Sequence, residues 1–245
     1  MPRSMAIINT GPGLGLATAR RFGRQGYRLA LVARSGERLD RFVDELAAEG
    51  VTAVAYPANL AEPGAVEQVA TAVEAAHGPL DVLYLNGQPV AEHIATPLDV
   101  DPDNLRAQLD ALLYNPIVLI RRFLPAMLAR GDGAILVSLG ASATTPLPML
   151  ANVGIAMAGL HNYVHTLHAA LADRGVYAGL LTIGALVAGS DPERMLSART
   201  AATGTPAPSP GDVLDPNELA DTLWQLYTER TDTERRAGRL ALAGS

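Results

Sequence analysis

The sequence predicts a doubly wound α/β fold, a mostly parallel sheet of about seven strands with helices on both faces. Three observations predict it. Short apolar runs alternate with longer amphipathic ones, the rhythm of βαβ units. A glycine-rich turn, Asn9-Thr-Gly-Pro-Gly-Leu-Gly15, joins the first apolar run to the first amphipathic one. The chain has 245 residues, of which 49% are hydrophobic, enough for the large core of one such domain.

The elements follow in order. Met5–Asn9 reads as a buried strand, and Leu14–Gln25 as the helix that follows the glycine turn. Arg28–Ala33 is a second apolar strand, and Glu37–Glu49 a helix closed by Gly50 as its C-cap. Val51–Tyr56 and Val66–His77 repeat the unit, and Asp81–Asn86 is a fourth strand. One long helix is predicted within Pro102–Arg130, a fifth strand at Ala134–Leu139, a second long helix over Asn152–Arg174 and a sixth strand at Val176–Ile183. Residues 184–215 break the rhythm. They are rich in Gly, Pro, Ser, Thr and Ala, with Thr205–Gly211 the clearest loop signal, and predict a flexible lid. Asp215 and Pro216 then read as the N-cap and first residue of a helix to Thr228, and Arg239–Leu242 as a last short strand. No internal repeat and no second domain stand out, so residues 1–245 are expected to form one domain.

Composition excludes several classes of function. No apolar run reaches the roughly 18 residues of a membrane span, and the apolar start is too short for a signal peptide. Without cysteine there is neither a disulfide framework nor a thiolate metal site, and a cytoplasmic location is expected. A net charge of −6 with no basic stripe argues against nucleic acid as a partner. All 19 basic residues are arginine. Schiff-base chemistry, a lysine-containing phosphate loop and a Tyr-Lys catalytic pair are therefore excluded, because arginine is a planar fork that keeps its proton.

A glycine turn between strand and helix brings backbone amides close to a pyrophosphate. Ile7–Arg34 resembles the opening of a short-chain dehydrogenase/reductase, and the resemblance runs through Arg130 and more weakly to the end. It implies a Rossmann-like fold and an NADP(H) cofactor. In register with the family's Gly-x-x-x-Gly-x-Gly turn, the last two glycines are Gly13 and Gly15, and Asn9 stands where the first should be. Asn tolerates a left-handed backbone better than most residues, and Gly11 adds freedom. The resemblance assigns cofactor contacts to Asn9, Gly11, Gly13, Leu14 and Gly15, and to Asn59 and Leu60 near the adenine. Asn86 and Gly87, in a stretch similar to the family's Asn-Asn-Ala-Gly, and Gly184 complete the set. Arg34, ending the second strand, occupies the place where NADP-preferring relatives hold the 2′-phosphate.

The family's polar tetrad of Asn, Ser, Tyr and Lys maps in the same register onto Leu112, Gly140, Val153 and Met157. The resemblance therefore implies an atypical member in which ordinary ketone chemistry is improbable. A positioned general acid contributes about 10²–10⁴ in rate, and none stands at the usual place. The candidates for replacement are His93, on the loop after the fourth strand, and Ser142, after the fifth. Solvation and turn formation are the competing roles for them, as for Glu92, Thr144, Asp191, Glu193 and Arg194. His161, His165 and His168 share a helical face, but with no matching carboxylate in view no metal is expected.

Two readings follow. One is an atypical NADP(H)-dependent oxidoreductase acting on a bulky apolar small molecule, an iminium or conjugated acceptor. The other is a redox-neutral cyclase or isomerase, or a non-catalytic ligand-binding protein, on the same fold. A homodimer or homotetramer through the two long helices is expected from the resemblance.

Overall fold

In the computed structural model, which describes residues 3–203 and 213–238, seven strands form one parallel sheet. The elements are β1 (Ser4–Ile8), α1 (Leu14–Gly23), β2 (Arg28–Ala33), α2 (Gly36–Ala48), β3 (Ala53–Pro57), α3 (Ala65–His77), β4 (Val82–Asn86), α4 (Pro102–Leu109) and α5 (Asn115–Arg130). They continue with β5 (Gly133–Gly140), α6 (Ala151–Leu171), β6 (Val176–Ile183), β7 (Leu186–Val187), α7 (Asp191–Thr203), β8 (Val213–Leu214), α8 (Pro216–Glu229) and β9 (Glu234–Ala237). The sheet runs β3-β2-β1-β4-β5-β6-β9, with every pairing parallel.

The central strands are buried on both faces, which is why they read as continuous apolar runs and not as alternation. On one face Ile7, Leu29 and Leu31 pack with Phe22 of α1, Leu39 of α2 and Leu223 of α8. On the other, Ile8, Val32 and Val137 pack with Val69 of α3, Ile120 of α5 and Leu160 of α6. Each such large side chain stabilises the fold by about 1.5–3 kcal/mol. Chain order reverses between β1 and β4, so a crevice opens at the carboxyl ends of these two strands, the usual ligand position in such sheets.

Three regions differ from expectation. The helix predicted within Pro102–Arg130 is interrupted by a π-helical turn, Asp110–Tyr114, where Asn115 N–H reaches back five residues to the Asp110 carbonyl. Pro116, with no N–H to donate, follows immediately and favours the widened turn. By length and composition Pro102–Arg130 is apolar enough to cross a membrane, but Leu119, Ile120, Phe123 and Met127 along it are packed into the core.

The segment 184–215, expected as a lid without regular structure, contains helix α7 and the β7–β8 pair. The helix starts because Ser190 caps it, its Oγ accepting from Glu193 N–H (3.3 Å) and its carbonyl from Arg194 N–H (3.0 Å). The Thr205–Gly211 loop signal falls outside the described residues. So does the strand expected at Arg239–Leu242; the sheet's last strand is β9, whose sequence Glu-Arg-Arg-Ala gives no apolar run. An edge strand with one neighbour tolerates that polarity. Asp215 caps α8 as expected, accepting from Asn217 N–H at 2.7 Å, with Pro216 the first helical residue.

Candidate functional site

The glycine turn lies at the crevice, and its geometry explains its residues. Asn9 adopts φ +58°, the left-handed conformation that a glycine would supply. Its side-chain amide donates to the Asn86 carbonyl (3.1 Å), and the Asn86 amide donates to the Asn9 carbonyl (3.1 Å). The two asparagines thus bracket the ends of β1 and β4. At Gly15 a Cβ would stand 3.0 Å from Thr10 Cα, so a side chain there would push the turn apart by a few tenths of an ångström. Thr10 is buried and ties the turn to β1 and β2 through Ile7 O and Val32 O, each at 2.8 Å. No side chain caps α1, so its first amides, at Leu14 and Gly15, lie at the helix's positive pole, just after the glycine turn.

Beside this turn lies a cleft of about 400 Å³ lined by Gly11, Arg34, Ser35, Arg38, Gln88 and Asp191, among others. Arg34 is exposed and makes no ion pair among the described residues. Arg38, one turn into α2, is held by Asp191 of α7 (Nη1 to Oδ2, 2.7 Å). Asp191 is therefore not the freely solvated charge expected from its loop-like surroundings. It brings a carboxylate to the strand end that carries Arg34.

The remaining expected contacts divide. Gly87 lies at the crevice, its N–H on the Ser138 carbonyl (2.9 Å), where a Cβ would come within 2.6 Å of that oxygen. Leu60, Asn86 and Gly87 line a smaller cavity of about 20 Å³ with Asn9, Leu112 and Leu160. Asn59 is exposed, outside the residues lining either space, and engaged in a local turn. Its Oδ1 accepts from Ala61 N–H (3.3 Å) and its amide donates to Glu62 (3.1 Å). Gly184 is bound at the sheet edge instead, its N–H on the Ala237 carbonyl (2.8 Å).

The positions that the resemblance gives to the polar tetrad are apolar. Leu112, Val153 and Met157 belong to one buried cluster, and Gly140 faces the Met157 sulfur. Ser142 is buried, and its hydroxyl donates to Met157 Sδ at 3.4 Å, a weak acceptor and no base. His93 is exposed on a short 3₁₀ turn, Ala91–His93, and no hydrogen bond links it to Ser142. Thr144 is exposed in the turn after β5.

Ser138 is a structural link. Tyr84 donates to its hydroxyl (2.9 Å), which donates in turn to Asn86 Oδ1 (2.9 Å). Burial pushes the Tyr84 hydroxyl above its ordinary range.

Three residues that sequence reasoning passed over organise the rim. Asn152 is fully buried. Its Oδ1 accepts from Ala95 N–H (3.1 Å) and Val153 N–H (3.0 Å), and its amide donates to the His93 carbonyl (2.6 Å) and to Asn104. Gln108, also buried, pairs with both backbone groups of Val90, at 3.1 and 2.8 Å. Asn115 donates to the Leu60 carbonyl (2.8 Å). An Asn or Gln inside an amphipathic helix carries no sequence mark that separates such a link from a solvated side chain.

A parallel sheet with a glycine turn at its switch point defines a doubly wound protein of the dinucleotide-binding class. The family model described as short chain dehydrogenase matches residues 4–194, and the chain belongs to that family. It is 31% identical over 185 residues to a short chain dehydrogenase of Pseudocercospora fijiensis, covering 74% of this chain and 59% of the relative. It therefore spans less than two thirds of that relative. The actinorhodin polyketide ketoreductase solved with NADPH shares the fold at a TM-score of 0.85 and 21% identity, over 98% of both chains. An NADPH-bound short chain oxidoreductase of Pseudomonas aeruginosa PAO1, with an atypical catalytic center, gives 0.80 at 23% identity, over 99% of this chain and 97% of that one.

Proposed function

We propose that the chain is an NADP(H)-dependent oxidoreductase without the Tyr-Lys mechanism, acting on a bulky apolar substrate with an activated acceptor, an iminium or a conjugated enone. The observation that carries this reading is an arginine-lined cleft beside an apolar, lysine-free floor. Arg34 offers the 2′-phosphate a guanidinium fork and Arg38 a second one shared with Asp191, and the α1 amides offer the pyrophosphate an anion site. When bound, NADPH supplies the hydride. The tetrad positions hold Leu112, Gly140, Val153 and Met157, none of which titrates, so nothing there protonates a ketone oxygen.

An acceptor that is already cationic or conjugated needs less of that help. Hydride addition to an iminium gives the neutral amine with no proton needed, whereas an enone leaves an enolate, whose proton comes from solvent or from His93. Exposed Ile94 and Leu98 follow β4, and exposed Met149 follows β5. The Ala151 N–H to Ala95 carbonyl bond (3.1 Å) ties these two loops together, which supports an apolar entrance. The Pseudomonas aeruginosa structure, with NADPH and an atypical center, also supports the reading.

A second reading, redox-neutral chemistry or ligand binding, is favoured by one contact. A Cβ at Gly13 would stand 3.2 Å from Ser190 Cβ, so the chain near α7 lies close over the glycine turn. Calorimetric titration separates the two. The first reading expects NADPH to bind, and to bind more tightly than NADH. Absence of binding by either cofactor overturns it in favour of the second.

A further inference from the structure

Three side chains with metal-ligating chemistry meet at the sheet edge. His161 and His165 stand one turn apart on α6, and Glu234 opens β9, 73 residues after His161. Glu234 Oε2 lies 3.2 Å from His161 Nε2 and 3.3 Å from His165 Nε2. The three ligand atoms all lie within 4.8 Å of one another. In a tetrahedral site with bonds of about 2.0–2.1 Å, neighbouring ligand atoms stand roughly 3.3 Å apart. Two of the three separations already have that length.

The third histidine of the same face is used elsewhere, His168 Nδ1 meeting the Ala178 carbonyl at 2.8 Å. What the sequence lacked was a carboxylate within reach of the helix. The fold provides it from the last strand.

We propose that His161, His165 and Glu234 form a three-ligand site for a divalent transition-metal ion of the Zn²⁺ type, with the fourth position left to water or an exogenous ligand. Arg236 Nε donates to Glu234 Oε1 at 3.0 Å and fixes the carboxylate with Oε2 toward the imidazoles. Arg236 Nη2 also stands 3.4 Å from Oε2, so the guanidinium opposes the ion as well as orienting its ligand. The side chain of His165 is 37% exposed, which gives the ion a path from solvent, while His161 and Glu234 are largely covered. An ion held there clamps β9, which among the described residues pairs with β6 alone, to α6.

The test uses the untagged chain, freed of metal with a chelator and titrated with Co²⁺ and then Zn²⁺. The proposal expects one equivalent of Co²⁺ to bind with the intense visible bands of a four-coordinate ion, and Zn²⁺ to abolish them while raising Tm. Loss of an outer-shell partner alone costs about 10–100-fold in metal affinity. His165→Ala, a change at the most exposed ligand, should therefore weaken Zn²⁺ by at least about tenfold and remove the bands, with circular dichroism unchanged. Glu234→Gln should do the same. Absence of the bands in the parent chain, or their persistence in His165→Ala, overturns the proposal.

Discussion

Asn9 shows how one side chain replaces a glycine and adds a function. Its left-handed backbone costs roughly 1–2 kcal/mol in an ordinary residue, less in Asn. Its amide also closes the bracket with Asn86. Asn9→Ala should lower stability by about 1–3 kcal/mol in urea unfolding, whereas Asn9→Gly should lose only the bracket, about 0.5–1.5 kcal/mol. Equal losses would show that backbone conformation is not the constraint. At the other side of the cleft Arg34 makes no ion pair among the described residues, and Arg38 is shared with Asp191. If NADPH binds as proposed, Arg34→Glu should abolish its preference over NADH, and Asp191→Asn should tighten NADPH by releasing Arg38. Unchanged NADPH affinity in both variants would remove these residues from the site.

The glycine turn was legible from the sequence because local chemistry dictates it, and the place of Arg34 at the strand end followed from the register of the resemblance. The Asp191–Arg38 pair was not, since the two residues are 153 positions apart and only the fold joins them.

Among the elements, the helical and strand rhythm was readable through β6 because strands buried on both faces leave continuous apolar runs. The signal failed where burial stops dictating sequence. β9 is a polar edge strand, α7 begins at a capping serine inside loop-like composition, and the break between α4 and α5 comes from a proline at a permitted position.

β9 also carries a pH dependence. Burial alone would raise the Glu234 carboxyl, but the nearby Thr182 hydroxyl and the hydrogen bonds with Arg236 and His161 outweigh it and hold it near 2, below the ordinary 4.5. A carboxyl depressed in the folded state stabilises it above the unfolded value and loses that contribution as pH falls from about 4.5 to about 2. Glu234→Gln should flatten the stability–pH curve in that window, measured by chemical denaturation. The same slope in the variant would place the acid sensitivity elsewhere.

Asn152 links α6 to the rim loop that carries His93. Asn152→Ala strips a buried partner from the Ala95 and Val153 N–H groups, costing about 1–3 kcal/mol. It should speed hydrogen exchange in residues 93–95. Unaltered exchange there would show that the loop is held by other contacts.

At the scale of the molecule, the sheet opens a crevice at its switch point with Arg34 and Arg38 beside it, and Leu112, Val153 and Met157 fall in a buried apolar cluster. The long helices α5 and α6 leave Tyr114, before α5, and Ile155, on α6, exposed. With the expected association through these helices, light scattering at micromolar concentration should give a dimer or tetramer; a monomer would contradict it. Restoring a proton donor and a charge with Val153→Tyr and Met157→Lys should still give little ketone reduction. Leu112 and Gly140 supply no hydrogen-bonding support, and a buried lysine without partners sheds its proton. Robust ketone turnover by that double variant would mean an intact reductase site lacking only two side chains.

The most direct measurement of the central claim is NADPH oxidation by the parent chain, followed by the loss of cofactor fluorescence, against matched iminium, enone and ketone substrates of increasing apolar bulk. The account predicts turnover with the iminium or enone series, rising with apolar size, and little or none with the ketones. Oxidation by simple ketones at comparable rates, or NADPH left unchanged by every acceptor, would contradict it.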